Sequence, residues 1–230
     1  SVTFYRWGGS DIATVPLTLL TEGDHSTAVG TFEWPVSIGS SDALQFEIGI
    51  RVNGWYTDKT LAGELPIIVT VAKPLDQFIA GGGFVTVSNP VGPYQPEMGT
   101  KLNFGFNVKY NKNGSNIQGA VNIVFRSGGQ MYQIKSTALL SLGVDSEKAK
   151  ADFYSKVNFR NLTTGETLLS SGDTRLDMRL TDNGEGKNAS ADTVAITLWN
   201  TKTGQVMFCS NWVNAVLSEQ ELSGGNVQVR

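Results

Sequence analysis

The chain has 230 residues, 18 basic and 21 acidic side chains, one His, one Cys and 26 Gly, and its net charge is −3. With 17% charged and 10% aromatic residues it reads as a folded, near-neutral globular protein, which excludes a disordered tail and a basic nucleic-acid binder. The single Cys209 excludes an intramolecular disulfide, a thiolate zinc cage and a redox pair, so stability falls to core packing, with a bound ion as the one further staple.

Ser1 leads directly into the strand-like Val2-Thr3-Phe4-Tyr5, with no basic segment followed by an apolar one, and no run of about 18 apolar residues occurs anywhere. The expectation is a chain with no signal peptide and no membrane insertion, cut from a longer polypeptide. Period-2 alternation then dominates. Leu44, Phe46, Ile48, Ile50 and Val52 share one strand face, as do Leu102, Phe104, Phe106, Val108 and Tyr110. Shorter β-branched and aromatic runs follow at 120–125, 131–136, 151–159, 175–180, 194–199 and 206–209. Turn pairs such as Asn113-Gly114, Gly128-Gly129, Thr164-Gly165, Asn183-Gly184 and Thr203-Gly204 separate them. Only residues 139–150 carry a helical pattern, a turn or two at most.

This spacing predicts an all-β protein of two antiparallel β-sandwich units. The boundary falls near Ala72-Lys73-Pro74-Leu75-Asp76, giving a small immunoglobulin-like sandwich over 1–76 and a larger sandwich over 77–230. Gly82-Gly83-Phe84-Val85-Thr86-Val87 is echoed by Gly224-Gly225-Asn226-Val227-Gln228-Val229 near the end. First and last strands of such similar design are expected to pair and close the larger unit.

An ordered series of features carries a family resemblance over residues 81–230: Gly81-Gly82-Gly83-Phe84, the strand Lys101 to Tyr110, Gln118-Gly119 before Val121 to Arg126, Asp192 to Trp199, Lys202 to Val206, and Gly224-Gly225. In this order they resemble the post-COAP modules, β-rich domains found late in secreted multidomain bacterial and archaeal proteins; residues 1–76 resemble, more loosely, the immunoglobulin-like repeats that precede them. The resemblance implies an extracellular or cell-surface setting and a noncatalytic structural or accessory role, with no active-site residues to transfer. Two departures stand out. Residues 131–171 are longer and more charged than the family pattern, and the stretch before Gly81 lacks a spacer, which points to halves that pack together rather than flex.

Chemistry-bearing residues are few. The only His, His25, lies between Asp24 and Ser26 in a turn-like stretch, and adjacent residues in a turn do not make a nucleophile–base–acid triad. No Gly-x-Ser-x-Gly elbow, His-Glu-x-x-His pair or phosphate loop occurs. A glycosidase needs two carboxylates about 5 to 10 Å apart; Asp177 is the acid whose apolar neighbours would raise its pKa, although its alternation with Arg175 and Arg179 reads as the outward face of an edge strand. The loop 182–192 groups Asp182, Glu185 and Asp192 as candidate calcium ligands, but it lacks EF-hand spacing and carries Lys187, so a plain hairpin loop is the favoured reading.

Trp7, Trp55, Tyr56 and Trp212 lie next to turns and polar residues and are the candidate sugar-stacking aromatics, while Trp34 and Trp199 read as core. Cys209 reads as a small buried position, and the sequons at Asn113, Asn161 and Asn188 as surface turns. The function read from these residues is a noncatalytic extracellular spacer, structural or adhesive module of a larger protein, whose partners are neighbouring modules or other subunits, with Val2 to Trp7 as a strand that could be donated. The alternative is a carbohydrate-binding module attached to a secreted hydrolase, with glycans as ligands. Neither involves nucleic acid.

Overall fold

The computed structural model describes residues 1–19, 22–23, 28–54, 65–73, 78–185 and 189–230. The architecture is all-β and built from antiparallel sheets, with no α-helix among the described residues. A first sheet contains β1 (Val2–Arg6), β2 (Asp11–Val15), β5 (Ala43–Val52) and β6 (Ile67–Ala72) in the order β2-β1-β5-β6, and β3 (Thr18–Leu19) pairs with β4 (Ala28–Val29) as a separate ribbon. β1 is an inner strand, bonded to β2 on one side and β5 on the other. The strand expected to be available for donation is therefore held on both edges.

Part of the apolar face of the first sheet is covered from within its own unit. Trp34 meets Phe46 edge-on at 5.1 Å and Phe32 stacks on Phe4 at 6.4 Å. The Arg6 guanidinium lies 4.8 Å from the Trp34 ring and 4.6 Å from the Phe46 ring, so its charge sits on two aromatic faces. Phe32 and Trp34 thus cover Phe4 and Phe46, and Trp34 is half-buried on an irregular segment rather than in a strand core. The opposite face, with Gln45, Glu47, Ile68 and Thr70, turns toward the second sheet.

That second sheet comprises β7 (Phe78–Thr86), β8 (Lys101–Tyr110), β9 (Ile117–Ser127), β10 (Gln130–Asp145), β11 (Lys150–Asn161), β12 (Thr167–Leu169), β13 (Thr174–Thr181), β14 (Thr193–Asn200) and β15 (Gln205–Cys209); the ribbon β16 (Trp212–Val213) and β17 (Val216–Leu217) follows, then β18 (Gln220–Glu221) and β19 (Gly224–Val229). The main path is β15-β14-β13-β11-β10-β9-β8-β7-β19, with β12 beside β11 and β18 beside β14. Gly128 and Gly129, both at positive φ (56° and 75°), make the two-residue turn of the β9–β10 hairpin, a backbone shape that favours glycine at both positions. The helical pattern of 139–150 is instead the tip of the β10–β11 hairpin. The register shifts between Ser136 and Ala138 and between Leu139 and Ser141, so two bulges flip the side-chain parity and erase the period-2 signature there.

The long sheet rolls until its inner faces meet. Phe125 on β9 stacks on Phe208 on β15 at 4.7 Å, although four strands lie between them, and Phe106 on β8 reaches Phe153 on β11 at 5.8 Å. Around these rings Ile123, Ile134, Val157, Leu176, Met178 and Leu198 are fully enclosed. First and last strands pair as their sequence echo anticipates: Gly224 opposite Phe84, Gly225 opposite Gly83, through to Val229 opposite Ile79.

Both outer edges of the rolled sheet are covered. Residues 89–94 run along β15, with Cys209 N–H donating to Val91 O at 2.9 Å and Tyr94 N–H to Met207 O at 3.2 Å. On the far side, Val227 N–H donates to Asp192 Oδ2 at 2.7 Å and Val229 N–H to Asp182 Oδ2 at 3.0 Å.

Candidate functional site

Alternation in β8 and β9 sends Leu102, Phe104, Phe106, Val121 and Ile123 into the rolled core. It leaves Asn103, Gly105, Asn107 and Asn122 on the outer face, where the first sheet lies. Glu47 is the centre of the resulting seam: Asn122 Nδ2 donates to its Oε1 at 2.6 Å and Gln133 Nε2 donates to the same oxygen at 3.0 Å. Gln133 also donates to Asn122 Oδ1 at 3.0 Å, so the two amides are locked to each other as well as to the carboxylate. Asn103 Nδ2 donates to Pro66 O at 2.7 Å, Gln45 Nε2 to Ala120 O at 3.0 Å, and Thr70 Oγ1 to Gly81 O at 3.0 Å. Asn103, Asn122 and Gln133 are buried, and buried polar groups are stable only when so paired.

At one end of the seam Lys109 pairs with Asp42, and Lys73 comes within 4.0 Å of the same carboxylate. The hydrogen bond from Lys109 holds the Asp42 carboxyl below its ordinary value, against a smaller opposing effect of desolvation. Glycine sets how near the sheets approach. A Cβ on Gly105 would stand 2.3 Å from Ile68 Cγ2, and one on Gly82 would stand 2.9 Å from the Ile68 carbonyl oxygen.

A cleft of about 620 Å³ opens between the sheets, with Ile48, Ile50 and Ile67 on one wall and Phe84, Lys101 and Asn103 on the other. The Lys101 ammonium lies 4.6 Å from the centre of the Phe84 ring. Carboxylates are scarce in this cleft: Glu97 is the one acidic residue among its described lining residues. Its described lining offers an apolar wall and a cationic rim.

Of the aromatic candidates, Trp7 and Trp212 are among the described residues, and each is tied to its own neighbours. Trp7 is half-buried, stacks on Tyr5 at 6.2 Å with 20° between the rings, and donates its backbone N–H to Glu47 O at 3.0 Å. The Arg51 guanidinium lies over the other partner of that stack, Tyr5, at 5.1 Å. Trp212 is half-buried on the β16–β17 ribbon, pairs with Leu217, and donates its backbone N–H to Asn89 O at 2.8 Å. Trp55 and Tyr56 lie outside the described residues, as does His25.

The acidic loop acts as a clasp on β19. Asp182 accepts from Gly184 N–H at 2.9 Å and from Val229; Asp192 accepts from Asn183 N–H at 2.9 Å and from Val227; Glu185 accepts from Asn226 Nδ2 at 2.8 Å. These three side chains reach β19 from one loop, and among the described residues no three His, Cys, Asp or Glu side chains gather as metal ligands. Lys187 is outside the described residues.

Asp177 sits on the outer face, as its alternation implies, but β13 is an inner strand and not an edge. It takes a two-point contact from Arg175 (2.7 and 2.8 Å) and a hydrogen bond from Trp199 Nε1 at 3.1 Å. Burial raises its pKa despite the neighbouring cation. Trp199 therefore belongs to this outward cluster and not to the core, because Val194, Ile196 and Leu198 hold the inward parity of β14. Cys209 is fully buried, and burial raises its thiol pKa. Asn161, read as an exposed turn, is buried; its Oδ1 accepts from Thr163 and Thr164 N–H at 2.9 and 3.2 Å and closes the turn from inside.

Glu47, Asn122 and Gln133 escape a reading that looks for catalytic spacing. The available signal is Asn103, Gly105 and Asn107 in a row between Lys101 and Lys109 on the outer parity of β8: a solvent-facing strand has no need of bare backbone there. No family model matches the chain, and neither any curated protein nor any solved structure matches it.

Proposed function

We propose that the chain is a noncatalytic structural module, a spacer or adhesive unit of a secreted or surface protein. The observation that carries this reading is the seam. Its buried polar side chains bond one another and the facing backbone, and so join two β units into one block. A block of this kind transmits position and load instead of flexing at a linker. The resemblance of residues 81–230 to post-COAP modules supports the extracellular setting.

Antibodies against the chain, applied to intact cells and to separated cell fractions, test the reading. Label on the cell surface or in the medium is expected. Label confined to the cytosol, or robust turnover in a broad hydrolase screen of the purified chain, overturns it.

The Tyr5–Trp7 stack favours one second reading, carbohydrate binding, because a paired aromatic ledge beside Arg51 and Asp11 offers a sugar both a stacking surface and hydrogen-bonding groups. A glycan array with Trp7→Ala, Trp55→Ala and Trp212→Ala decides it: absent binding, or binding unchanged by all three, removes this reading.

A further inference from the structure

The first sheet ends on β6, whose second edge has no strand beside it among the described residues. The register fixes which backbone groups face that edge. Lys73 N–H donates to Asp42 O, and Ala43 stands opposite Ala72, so the hydrogen-bonded pairs of the β5–β6 ladder are Leu44 with Val71, Phe46 with Val69 and Ile48 with Ile67. Ile68, Thr70 and Ala72 therefore turn their N–H and C=O groups away from β5. None of these six groups has a backbone partner among the described residues.

They face a groove of about 620 Å³ lined by β6, by Ala80 to Phe84 of β7, and by Gly224, Gly225, Asn226 and Gln228 of β19. Its floor is the outer face of β7 and β19, largely bare glycine backbone, and its described lining includes no charged residue. The same floor already carries β6 itself, where Thr70 Oγ1 donates to Gly81 O at 3.0 Å and the Ile68 carbonyl oxygen stands over Gly82.

We propose that this groove is a strand-acceptor site, in which a single extended polypeptide segment pairs with the free edge of β6 as the fifth strand of the first sheet. Three features select that occupant. Unpaired N–H and C=O groups repeating at every second residue are complementary to another extended backbone and to no other common ligand. The added strand continues an interface that already exists, because it lies on the β7–β19 floor as β6 does. The groove, about 620 Å³ and bounded by β6 and the β7–β19 floor, is of a size for a lone linker or tail segment. Since β6 has six residues, a matching segment has about six, with small uncharged side chains toward the glycine floor.

The probe is a synthetic octapeptide alternating serine with valine, capped at both ends and added to the full chain, with amide hydrogen exchange as the readout. In the free protein the amides of Ile68, Thr70 and Ala72 are expected to exchange rapidly; with saturating peptide they slow by about tenfold or more. Methylating the peptide nitrogens at one alternate set of positions abolishes binding, whereas methylating the other set leaves it, because only one set points at β6. Gln228→Trp, which fills the groove from an outer-face position, weakens binding by about tenfold or more while the fold is retained. Three results overturn the proposal: the three amides already protected in the free protein, no binding, or equal effects of the two methylation patterns.

Discussion

At Glu47 one carboxylate oxygen accepts from two buried amides that are also bonded to each other, so removing the acceptor leaves the Asn122 amide without its partner and the Gln133 amide with one partner fewer. An unsatisfied buried polar group costs about 1–3 kcal/mol, and a domain of this size loses about 2–4 °C of melting temperature per kcal/mol. Glu47→Ala is therefore expected to lower the melting temperature by several degrees, and Glu47→Gln, which keeps an acceptor oxygen, by less. Thermal denaturation followed by circular dichroism measures both; equal melting of wild type and Glu47→Ala would contradict the role given to the seam.

Asp42 adds a pH dependence. Lys109 depresses its pKa below the usual 3.8, so its contribution to stability is fully present above that value and disappears as pH falls through the depressed one. Asp42→Asn should remove this part of the acid sensitivity and leave melting near neutral pH slightly lowered.

Whole elements are held by features that lie outside their own strands. β19 is an edge strand whose outward N–H groups are met by Asp192 and Asp182, reaching from the loop after β13. Asp192→Ala deprives both Val227 N–H and Asn183 N–H of their acceptor, and a loss of about 1–3 kcal/mol is expected in denaturant titrations, with faster exchange of the β19 amides. Gly105→Ala acts from the opposite direction: its methyl would overlap Ile68 Cγ2, so the variant should be destabilised by about 1–3 kcal/mol. Trimming Ile68 to Ala in the same molecule should restore part of the loss, a non-additivity that places the contact.

These elements mark where the sequence is legible. The strands of β5 and β8 are plain in the alternation of Phe46 to Val52 and Leu102 to Tyr110, and the β7–β19 closure is announced by two similar Gly-Gly segments. The β10–β11 tip is hidden because two bulges break the period. The seam is hidden for another reason: alternation says that Gln45, Glu47 and Asn122 face away from their apolar neighbours, but not whether water or another sheet lies there. Trp199 illustrates the same ambiguity, since a large aromatic on the outward parity of β14 looks like core until its partners Asp177 and Arg175 are placed.

For the molecule as a whole, the seam couples the first sheet to the rolled one through a hydrogen-bond network, with buried Ile68 packed over Gly105 beside it. Phe46 on the apolar row of β5 is covered by Trp34 of its own unit, while Ile48 and Ile50 line the cleft between the sheets. Calorimetry of the intact chain should then give one transition. Glu47→Ala combined with Gly105→Ala should resolve it into two, with the rolled sheet, which holds the large aromatic cluster, melting last.

The pairing of β7 with β19 bears on how the chain reaches this state. Thr86 and Ser223, bonded beside that pairing, stand 137 residues apart in the chain, and contacts of such separation form late because the loop between them must first be closed. Synthesis from the N-terminus delivers the first sheet before the second, and β19, which closes the second, after all the other strands of that sheet. Until the residues of β19 have left the ribosome, that edge of β7 stays unpaired and the inner face of the rolled sheet lacks Val227, so the nascent chain passes through an interval in which an unpaired strand edge is open to intermolecular pairing.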